Sequence, residues 1–566
     1  MFKTKFVSSQ IKAFIDDKID TFQEFSKGSA LLGEKYSFQL LYVDEGEGDL
    51  PGRPICSAKL EGDLATYTTI RDVRYVPVDR PIHPDFYDDQ YVRITPGIYP
   101  DILTPLRYDG QVVIGKDKLR SLWFEVDIPE DFKGDGKLKF SIYLASASVG
   151  DTANLVFEDQ EPISTNEIEI DLISATLPEQ QTLFTQWFYA DCLASYYNVE
   201  VWSDRHFEII ENFLKGYAAR GRNMLYTPIL TPALNVLPPY YRKPCQLVDV
   251  RVDNGVYSFD FTNLDKWIDI MDRVGIKYIE MSHFYHQKPV EYAAKVYATV
   301  DGEFKLLFGW ETEALSEENI TFLRQMISAM IEHLKKRGDD KRCYYHIADE
   351  PTAANLEQYL QKKDAIADLL EGYPIMDALS NYEFYESGAV SIPVPSTTHT
   401  MPFIGKGIEE LWTYYACNQL IGYSNCYVAM PSWRTRSLGM QIYKYQLKGF
   451  LHWGYNYYNN RASGDAINPW IDLGGEDWVP AGDTFMVYPD SDGNALESIR
   501  MMSLEEAFQD IRAMELCEKY YSHEEVVKAM EEELGAEITF ERCAHSEDEM
   551  IRVRERINRM IAEKIK

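Results

Sequence analysis

The sequence predicts a mixed α/β protein in which an N-terminal all-β sandwich is followed by a (β/α)8 TIM-like barrel and a C-terminal helical tail. Three observations support this class. Short alternating apolar runs separated by turn residues occur between residues 36 and 173, strand and helix patterns alternate between residues 186 and 378, and the last residues carry Glu, Lys and Arg at helical spacing. The predicted domains are therefore residues 1–177, 178–521 and 522–566.

The N-terminal domain is predicted to contain strands only. Residues 37–43, 121–128, 137–144 and 167–173 alternate apolar and polar side chains, as half-buried strands do. Residues 129–136 are rich in Pro, Asp and Gly, and we expect them to join two strands as a hairpin. The domain either supports the rest of the chain structurally or contributes to ligand binding.

The barrel is predicted from the alternation of strands and helices. Glycine follows three of the helical patterns, which is typical of a helix C-terminus. Strands and helices at these intervals are typical of right-handed βα units. The predicted helices are 208–220, 264–274, 317–336 and 355–370, and the predicted strands are 186–189, 223–229, 277–282, 344–347 and 373–378.

The C-terminal part of the chain is predicted to be helical. A helix is expected over residues 504–521, and the segment from residue 524 onward has charged residues at helical spacing. We interpret this tail as a structural extension with one solvated face.

Composition and charge exclude several classes of partner. The 566 residues include 45% hydrophobic and 26% charged side chains, which is ordinary for a folded globular protein. The formal net charge of −33 argues against nucleic acid and anionic membranes, because both require a basic surface. No run of about 18 apolar residues is present to span a membrane.

Cysteine usage and the N-terminus indicate a cytoplasmic protein. The eight cysteines are scattered and form no CxxC pair, so we expect reduced thiols rather than a disulfide framework or a metal site. Residues 1–12 lack the uninterrupted apolar segment of a secretory signal. No cofactor is predicted.

Two adjacent acids at the end of an apolar strand are the leading candidates for chemistry. Residues 343–351 read Cys-Tyr-Tyr-His-Ile-Ala-Asp-Glu-Pro, so Asp349 and Glu350 lie where a barrel strand should end. Neighbouring side chains on a regular strand point to opposite faces, and the two acids can share a pocket only if the backbone bends. Alternatively, they cap the helix that follows.

An aromatic tract in the last third of the barrel suggests a sugar pocket. Residues 412–458 contain many Trp and Tyr residues together with Asn and Arg. Flat aromatic faces suit the apolar C–H faces of a pyranose, and polar groups suit its hydroxyl rim. Each of these aromatic residues can equally belong to the barrel core. Trp453 and Tyr455 are two apart on an apparent strand, so we expect them to form a pair in the pocket.

Six segments of the sequence occur in a fixed order along the chain: 191–197, Asn223 with 227–232, 275–280 with His283, 346–351, 449–456 and 481–489. Together they resemble glycoside hydrolase family 123, the β-N-acetylgalactosaminidases, whose catalytic region is also classified as domain of unknown function 4091. Ala348 and His452 depart from the residues expected in the family, Ser and Arg respectively, and neither change alters the acids. A Tyr-Pro-Asp sequence at residues 99–101 resembles a feature of the N-terminal domain in that family.

The resemblance implies a retaining hydrolase for terminal β-linked N-acetylgalactosamine (GalNAc) in which the 2-acetamido oxygen of the substrate attacks the anomeric carbon. Glu350 would be the general acid and then the base. Asp349 would accept a hydrogen bond from the acetamido N–H. The two roles require different surroundings, one that keeps a proton and one that stays ionised. The partner is a glycan or glycoconjugate.

Five further residues are predicted to bind the sugar: Asn223, His283, Tyr415, Trp453 and Tyr455. Tyr415 is predicted, from its place near a late strand end, to hydrogen-bond the acetamido carbonyl. His283 has an equal alternative as a buried neutral residue satisfied by the backbone. No metal site is predicted, because no clustered ligands accompany the histidines at 283 and 286.

Two other functions stay open at this point. The first is a β-glycosidase that acts on another hexosamine, or on a sugar without the acetamido group by means of a carboxylate nucleophile. The second is a carbohydrate-binding protein without catalysis. Fold alone does not separate them, because barrels host many unrelated reactions.

Overall fold

A computed structural model gives the structure of residues 1–46, 55–106, 111–144, 161–287 and 291–565. Contacts divide the chain into two compact units. The first contains residues 1–180, 424–444 and 496–566, and the second contains 181–423 and 445–495. The prediction of a mixed α/β protein with a sheet-rich N-terminal region is confirmed.

The first unit contains two five-stranded sheets around a shared core. Their orders are β1-β3-β8-β5-β6 and β2-β10-β9-β4-β7. Apolar side chains from both sheets, among them Phe38, Phe124 and Phe140, form one buried cluster. The strands are β1 Phe2–Ser8, β2 Lys27–Leu32, β3 Lys35–Asp44, β4 Ile55–Glu61, β5 Thr68–Val78, β6 Gly97–Pro105, β7 Val112–Val113, β8 Arg120–Asp127, β9 Lys137–Leu144 and β10 Ser164–Thr176.

The hairpin predicted at residues 129–136 is wrong. β8 pairs with β3 and β5 in one sheet, whereas β9 pairs with β4 and β10 in the other. Phe124 of β8 and Phe140 of β9 meet across the core with ring centroids 5.0 Å apart. Turn residues predict that the chain reverses direction, but they do not show whether the two strands then pair. Because β8 and β9 pack against one core from opposite sheets, the turn forms an arch between the sheets.

The second unit is organised around parallel strands. Six of them form a sheet in the order β18-β15-β12-β11-β22-β21, and β19 and β20 form a separate parallel pair. β13, β14, β16 and β17 form their own four-stranded sheet. The strands are β11 Leu183–Gln186, β12 Met224–Thr227, β13 Asp249–Asp253, β14 Val256–Asp260, β15 Tyr278–Met281, β16 Val296–Val300, β17 Glu303–Phe308, β18 Cys343–Tyr344, β19 Met376–Ala378, β20 Ile392–Val394, β21 Trp412–Tyr415 and β22 Gly449–His452, with β23 Val487–Pro489 and β24 Ala495–Glu497 following along the chain.

The helices confirm the main sequence predictions and shorten one of them. Gly275 and Gly338 follow two helices in the left-handed conformation, with φ of 87° and 85°. The helix predicted over 355–370 is shorter, because it ends at Asp364. The helices are α1 Ala190–Tyr196, α2 Asp204–Ala219, α3 Thr262–Val274, α4 Glu317–Arg337, α5 Leu356–Asp364, α6 Glu383–Glu386, α7 Ser432–Arg436, α8 Leu438–Lys444, α9 Ile499–Cys517, α10 His523–Leu534 and α11 Glu547–Ile565.

The C-terminal helices belong to the first unit. In α11, Glu555 accepts hydrogen bonds from the backbone N–H and the hydroxyl of Ser29, at 2.8 and 2.7 Å. Arg554 pairs with Glu34 at 2.7 Å and with Asp510 of α9 at 3.0 Å. These contacts fix α11 against the N-terminal sheets. Within the described part of the chain, no helix has both the length and the apolar character needed to cross a bilayer.

Candidate active site

A cavity of about 290 Å³ lies in the second unit where several parallel strands end. Trp187 follows β11, Ala378 ends β19, Tyr414 lies in β21 and Leu451 lies in β22, and all of them line the cavity. The carboxyl ends of parallel strands in α/β proteins are the common place for ligand sites. The cavity therefore lies in a common position for a ligand site.

Asp349 and Glu350 both line this cavity, although they are consecutive in the chain. Glu350 adopts a left-handed backbone conformation with φ of 44°, which is uncommon for a residue other than glycine. Its backbone N–H donates to the carbonyl of Ala378 at 3.1 Å. The acids lie beyond β18, which ends at Tyr344, so strand alternation does not separate their side chains. Strained residues of this kind concentrate at functional sites.

The carboxylate of Glu350 is half-buried and contacts a tyrosine hydroxyl. The hydroxyl of Tyr414 donates to Glu350 Oε1 at 2.8 Å. Burial, and next the nearby charge of Glu350, raise the pKa of Tyr414 well above its usual range. The phenol therefore keeps its proton and acts as a hydrogen-bond donor to the carboxylate.

Asp349 has different surroundings from its neighbour. It is 6% exposed, and its Oδ2 atom accepts a hydrogen bond from the Gln287 side-chain amide at 2.7 Å. Gln287 also lines the cavity. The two acids therefore face one space with different hydrogen-bond partners, as different roles require.

A buried charged network lies next to the cavity wall. His346 Nε2 is 2.8 Å from Glu280 Oε1, and its Nδ1 is 2.9 Å from Asp377 Oδ1. Burial alone would lower the pKa of His346, but hydrogen bonds to Asp377 and Glu280 outweigh it and raise the pKa to about 10. Trp187, on the cavity wall, donates from Nε1 to Glu280 Oε1 at 2.7 Å. The imidazolium of His346 thus bridges Glu280 and Asp377, and Glu280 also accepts a hydrogen bond from Trp187 on the cavity wall.

His283 lies in this network and does not line the cavity. Its Nδ1 is 3.1 Å from the hydroxyl of Tyr226, and its ring stacks on that of His346 with centroids 4.2 Å apart. Burial, followed by the charge of His346, lowers the pKa of His283 well below its usual range. The ring is therefore neutral and buried, as in the alternative interpretation of the sequence, but its partner is the side chain of Tyr226 rather than the backbone.

One group of described side chains in this network has the composition of a metal site. His283, His346 and Asp377 each place a ligand atom within 4.8 Å of the others. The two imidazole rings, however, are stacked with only 25° between their planes. A metal ion lies close to the plane of each imidazole that binds it, and a single ion cannot satisfy that condition for two stacked rings. The geometry suits a hydrogen-bonded network better than a metal centre.

Of the residues predicted to bind a sugar, Trp453 lines the cavity. Its Nε1 donates to Asp483 Oδ2 at 2.9 Å, and its ring lies 5.5 Å from that of Trp478, which also lines the cavity. These contacts fix the orientation of an indole face beside the two acids. The cavity thus has the aromatic wall that the sequence suggested.

The other three predicted residues lie away from the cavity lining. Tyr455 is buried, and its hydroxyl donates to the carbonyl of Phe213 at 3.2 Å. The ring of Tyr415 is buried against Phe450, with centroids 4.9 Å apart. Asn223 precedes β12 and accepts from the backbone N–H of Phe184 at 2.8 Å. It therefore lies at the start of a strand, whereas the cavity lies where strands end.

Several lining residues were not predicted from the sequence. They come from loops or from the opposite face of a predicted strand, and no periodic pattern identifies them. They are Trp187, Asn235, Gln287, Arg461 and Trp478, whereas Tyr414 belongs to the aromatic tract that the sequence predicted as a sugar pocket.

Comparison with known proteins identifies relatives of the chain. The family model described as "Glycoside hydrolase 123, catalytic domain" matches residues 187–517. A solved structure of a family 123 glycoside hydrolase from Clostridium perfringens is similar, with a TM-score of 0.72 and 16% identity over 100% of this chain and 98% of the other. A family 5 mannosidase from Rhizomucor miehei is 11% identical, covering 59% of this chain and 93% of its own, but its TM-score of 0.33 is too low to support an argument. No curated protein sequence matches significantly.

Proposed function

The chain belongs to glycoside hydrolase family 123, and from this premise we propose that it releases terminal β-linked GalNAc with retention, through participation of the acetamido group of the substrate. The observation that carries the proposal is the pair Asp349 and Glu350, consecutive in the chain and facing one cavity with aromatic walls. They are also the only carboxylates among the described residues that line it. A substrate that supplies its own nucleophile needs no further acid.

Glu350 is the general acid and base in this proposal. Its half-buried carboxyl protonates the leaving oxygen and then removes a proton from the attacking water. The hydroxyl of Tyr414, 2.8 Å from Oε1, orients the carboxyl. When Glu350 becomes ionised after proton transfer, the same hydrogen bond stabilises its charge.

Asp349 orients the acetamido group. Its Oδ2 atom accepts from Gln287, and the remaining acceptor capacity of the carboxylate suits the acetamido N–H of the substrate. A carboxylate in contact with that N–H raises the nucleophilicity of the acetamido oxygen and stabilises the positive charge of the oxazolinium intermediate.

The aromatic residues of the wall complete the sugar site. Trp187, Trp453 and Trp478 line the cavity. Indole faces pack against the apolar face of a pyranose, while the polar edges of the cavity contact its hydroxyl groups. We place the terminal sugar against this wall.

The strand arrangement supports a (β/α)8 barrel as the scaffold of the site. Single parallel bridges join Tyr345 to Ile375 and Ser396 to Tyr414. These bridges would place β19 and β20 between β18 and β21 and complete a ring of parallel strands. Such a ring would position the cavity at its carboxyl end.

The similar structure suggests which natural substrates to test first. The Clostridium perfringens enzyme was studied for hydrolysis of glycolipid glycans. Glycolipid head groups that end in β-GalNAc are therefore the first natural substrates to test with this chain.

The experiment that tests the proposal measures release of p-nitrophenol from the β-GalNAc, β-GlcNAc and β-galactoside derivatives. We expect turnover of the β-GalNAc compound. Glu350→Gln should lose about 10²- to 10⁴-fold when the leaving group is a sugar alcohol, as in a β-GalNAc disaccharide, because that oxygen must be protonated as it leaves; the loss should be smaller for p-nitrophenol. Asp349→Asn should also lose most activity. Glu303→Gln, which changes an exposed acid of β17 outside the cavity, is the matched control.

Other outcomes select the alternative functions. Turnover of the plain galactoside would indicate a carboxylate nucleophile, and strong inhibition by a thiazoline mimic of the oxazoline would argue against that mechanism. Preference for the β-GlcNAc compound would indicate another hexosamine. Binding of these sugars without any turnover would indicate a carbohydrate-binding protein.

A further inference from the structure

One cationic side chain lines the cavity among the residues that the structure describes: Arg461. It is exposed, and it forms no hydrogen bond or ion pair with any described residue. The remaining charged residues of the described lining are Asp349 and Glu350. An arginine without a protein partner on the wall of a cavity is available for a ligand.

The loop that carries Arg461 is firmly held. Ala462 and Ser463 follow with φ of 67° and 53°, two consecutive non-glycine residues in the left-handed region. The Ser463 hydroxyl donates to the carbonyl of Asn235 at 2.8 Å, and the Leu237 N–H donates to the carbonyl of Ala462 at 3.4 Å. Such backbone strain persists only where surrounding contacts impose it.

A second anchor holds the start of the same loop. The Tyr457 hydroxyl donates to the carbonyl of Asn460 at 3.0 Å, and the Asn460 side-chain amide donates to Glu476 at 2.8 Å. Both ends of the segment are therefore fixed while the guanidinium itself has no described partner. Fixing the backbone in advance reduces the entropy cost of binding through this side chain.

We propose that Arg461 binds an anionic group, a carboxylate or a sulfate ester, on the sugar next to the one that is released. The guanidinium presents a fork of N–H donors that matches both groups with two parallel hydrogen bonds. No ion pair joins Arg461 to Asp349 or Glu350, the two acids of the same lining, so its guanidinium is not committed to the carboxylates that we assign to the terminal sugar. This inference rests on the proposed function and specifies the substrate class as acidic glycans.

Long-range electrostatics does not account for such a preference. The formal net charge of −33 repels anions from the protein as a whole. At physiological ionic strength this repulsion is screened beyond about 8 Å. A preference for an acidic substrate must therefore come from local contacts, and Arg461 is the described lining residue that can provide them.

The test uses three disaccharides that begin with β-GalNAc and differ only in the second sugar: glucose, glucuronic acid or sulfated glucose. The measured quantity is the ratio of kcat/KM for each acidic disaccharide to that for the neutral one, with GalNAc release followed by chromatography. Wild type is compared with Arg461→Ala, Arg461→Lys and the control Arg251→Ala, which removes an exposed arginine of β13. Binding of the same three compounds to Glu350→Gln, with and without Arg461→Ala, is measured by calorimetry.

We expect wild type to prefer at least one acidic disaccharide about 10- to 100-fold, the contribution of a charged bidentate contact. Arg461→Ala should abolish the preference, Arg461→Lys should keep part of it, and Arg251→Ala should keep all of it. Preference for glucuronic acid alone assigns a carboxylate, and preference for the sulfated sugar alone assigns a sulfate ester.

Equal values for neutral and acidic compounds in wild type, or a preference that survives Arg461→Ala, would overturn the inference. If no GalNAc is released from any disaccharide, the proposed function fails. Calorimetry then shows separately whether Arg461 binds an anionic group. Tighter binding of an acidic compound that depends on Arg461 would then still support the anion site. Equal binding of all three would reject it.

Discussion

Replacing His346 by glutamine tests the buried network beside the cavity. The ordinary pKa of histidine is 6.5, and hydrogen bonds to Asp377 and Glu280 overcome burial and raise the pKa of His346 to about 10. That difference corresponds to about 5 kcal/mol of favourable interaction with the proton. Burial also raises the pKa of Asp377, and this cost offsets part of that favourable interaction. Removing one member of a buried ion pair costs about 3–5 kcal/mol, so we expect His346→Gln to lower the free energy of unfolding by that amount.

The assay is urea unfolding of wild type and His346→Gln, followed by tryptophan fluorescence, at several pH values. The folded-state pKa is raised, so the stability from this proton is fully present below pH 6.5 and is lost as pH rises through about 10. Wild type should therefore lose stability over that interval, and His346→Gln should lose less. His333→Gln, which changes a partly exposed histidine of α4, is the matched control.

Two results would refute this reasoning. One is an unfolding midpoint of His346→Gln equal to that of wild type near neutral pH. The other is an equal loss of stability in both proteins between pH 6.5 and 10. Either would mean that His346 carries no buried proton between the two acids.

Three further substitutions separate residues of the cavity from residues of the core. Tyr414→Phe removes a donor to Glu350, so we expect kcat/KM to fall about 10- to 100-fold; an unchanged kcat/KM would contradict the assigned contact. Trp453→Ala should raise KM for the aryl glycoside about tenfold through loss of a stacking face, and an unchanged KM would place the sugar elsewhere. Asn223→Ala should lower the free energy of unfolding by about 1–3 kcal/mol, because it leaves the buried N–H of Phe184 unpaired, without changing KM; a selective rise in KM would return Asn223 to the sugar site.

The sequence predicted the features that depend on short-range chemistry. Glycines at residues 275 and 338 located two helix ends, because only glycine enters the left-handed conformation without strain. The Asp-Glu-Pro sequence after an apolar run located the acids near the carboxyl end of a strand: β18 ends at Tyr344, and the acids line the cavity from the segment that follows it. The backbone bend that this placement required appears at Glu350, with φ of 44°. In these cases the residue types themselves impose the local geometry.

The predictions of sugar-binding residues were wrong where strand register decides which face of the strand a side chain occupies. Tyr414 and Tyr415 are neighbours on β21, and Tyr414 reaches the cavity while Tyr415 packs in the core. A shift of one residue exchanges the two faces of a strand, and an aromatic tract without alternation leaves that choice open. β22 ends at His452, so the alternation that linked Trp453 with Tyr455 does not apply beyond it.

Loop residues were beyond prediction for a different reason. Gln287 and Arg461 reach the cavity from segments without helical or strand period. Their placement depends on contacts with residues far away in the chain, such as the hydrogen bond between Gln287 and Asp349. Local sequence carries no signal for contacts of that kind.

Participation of the acetamido group is the central claim, and a change in that group tests it most directly. The measurement compares kcat/KM for p-nitrophenyl β-GalNAc with that for its trifluoroacetamido analogue. Fluorine withdraws electrons from the carbonyl oxygen that attacks the anomeric carbon, so we expect a loss of more than about 100-fold, which corresponds to about 2.7 kcal/mol in the activation free energy. Nearly equal values for the two substrates would show that the acetamido oxygen is not the nucleophile and would contradict the roles assigned to Asp349 and Glu350.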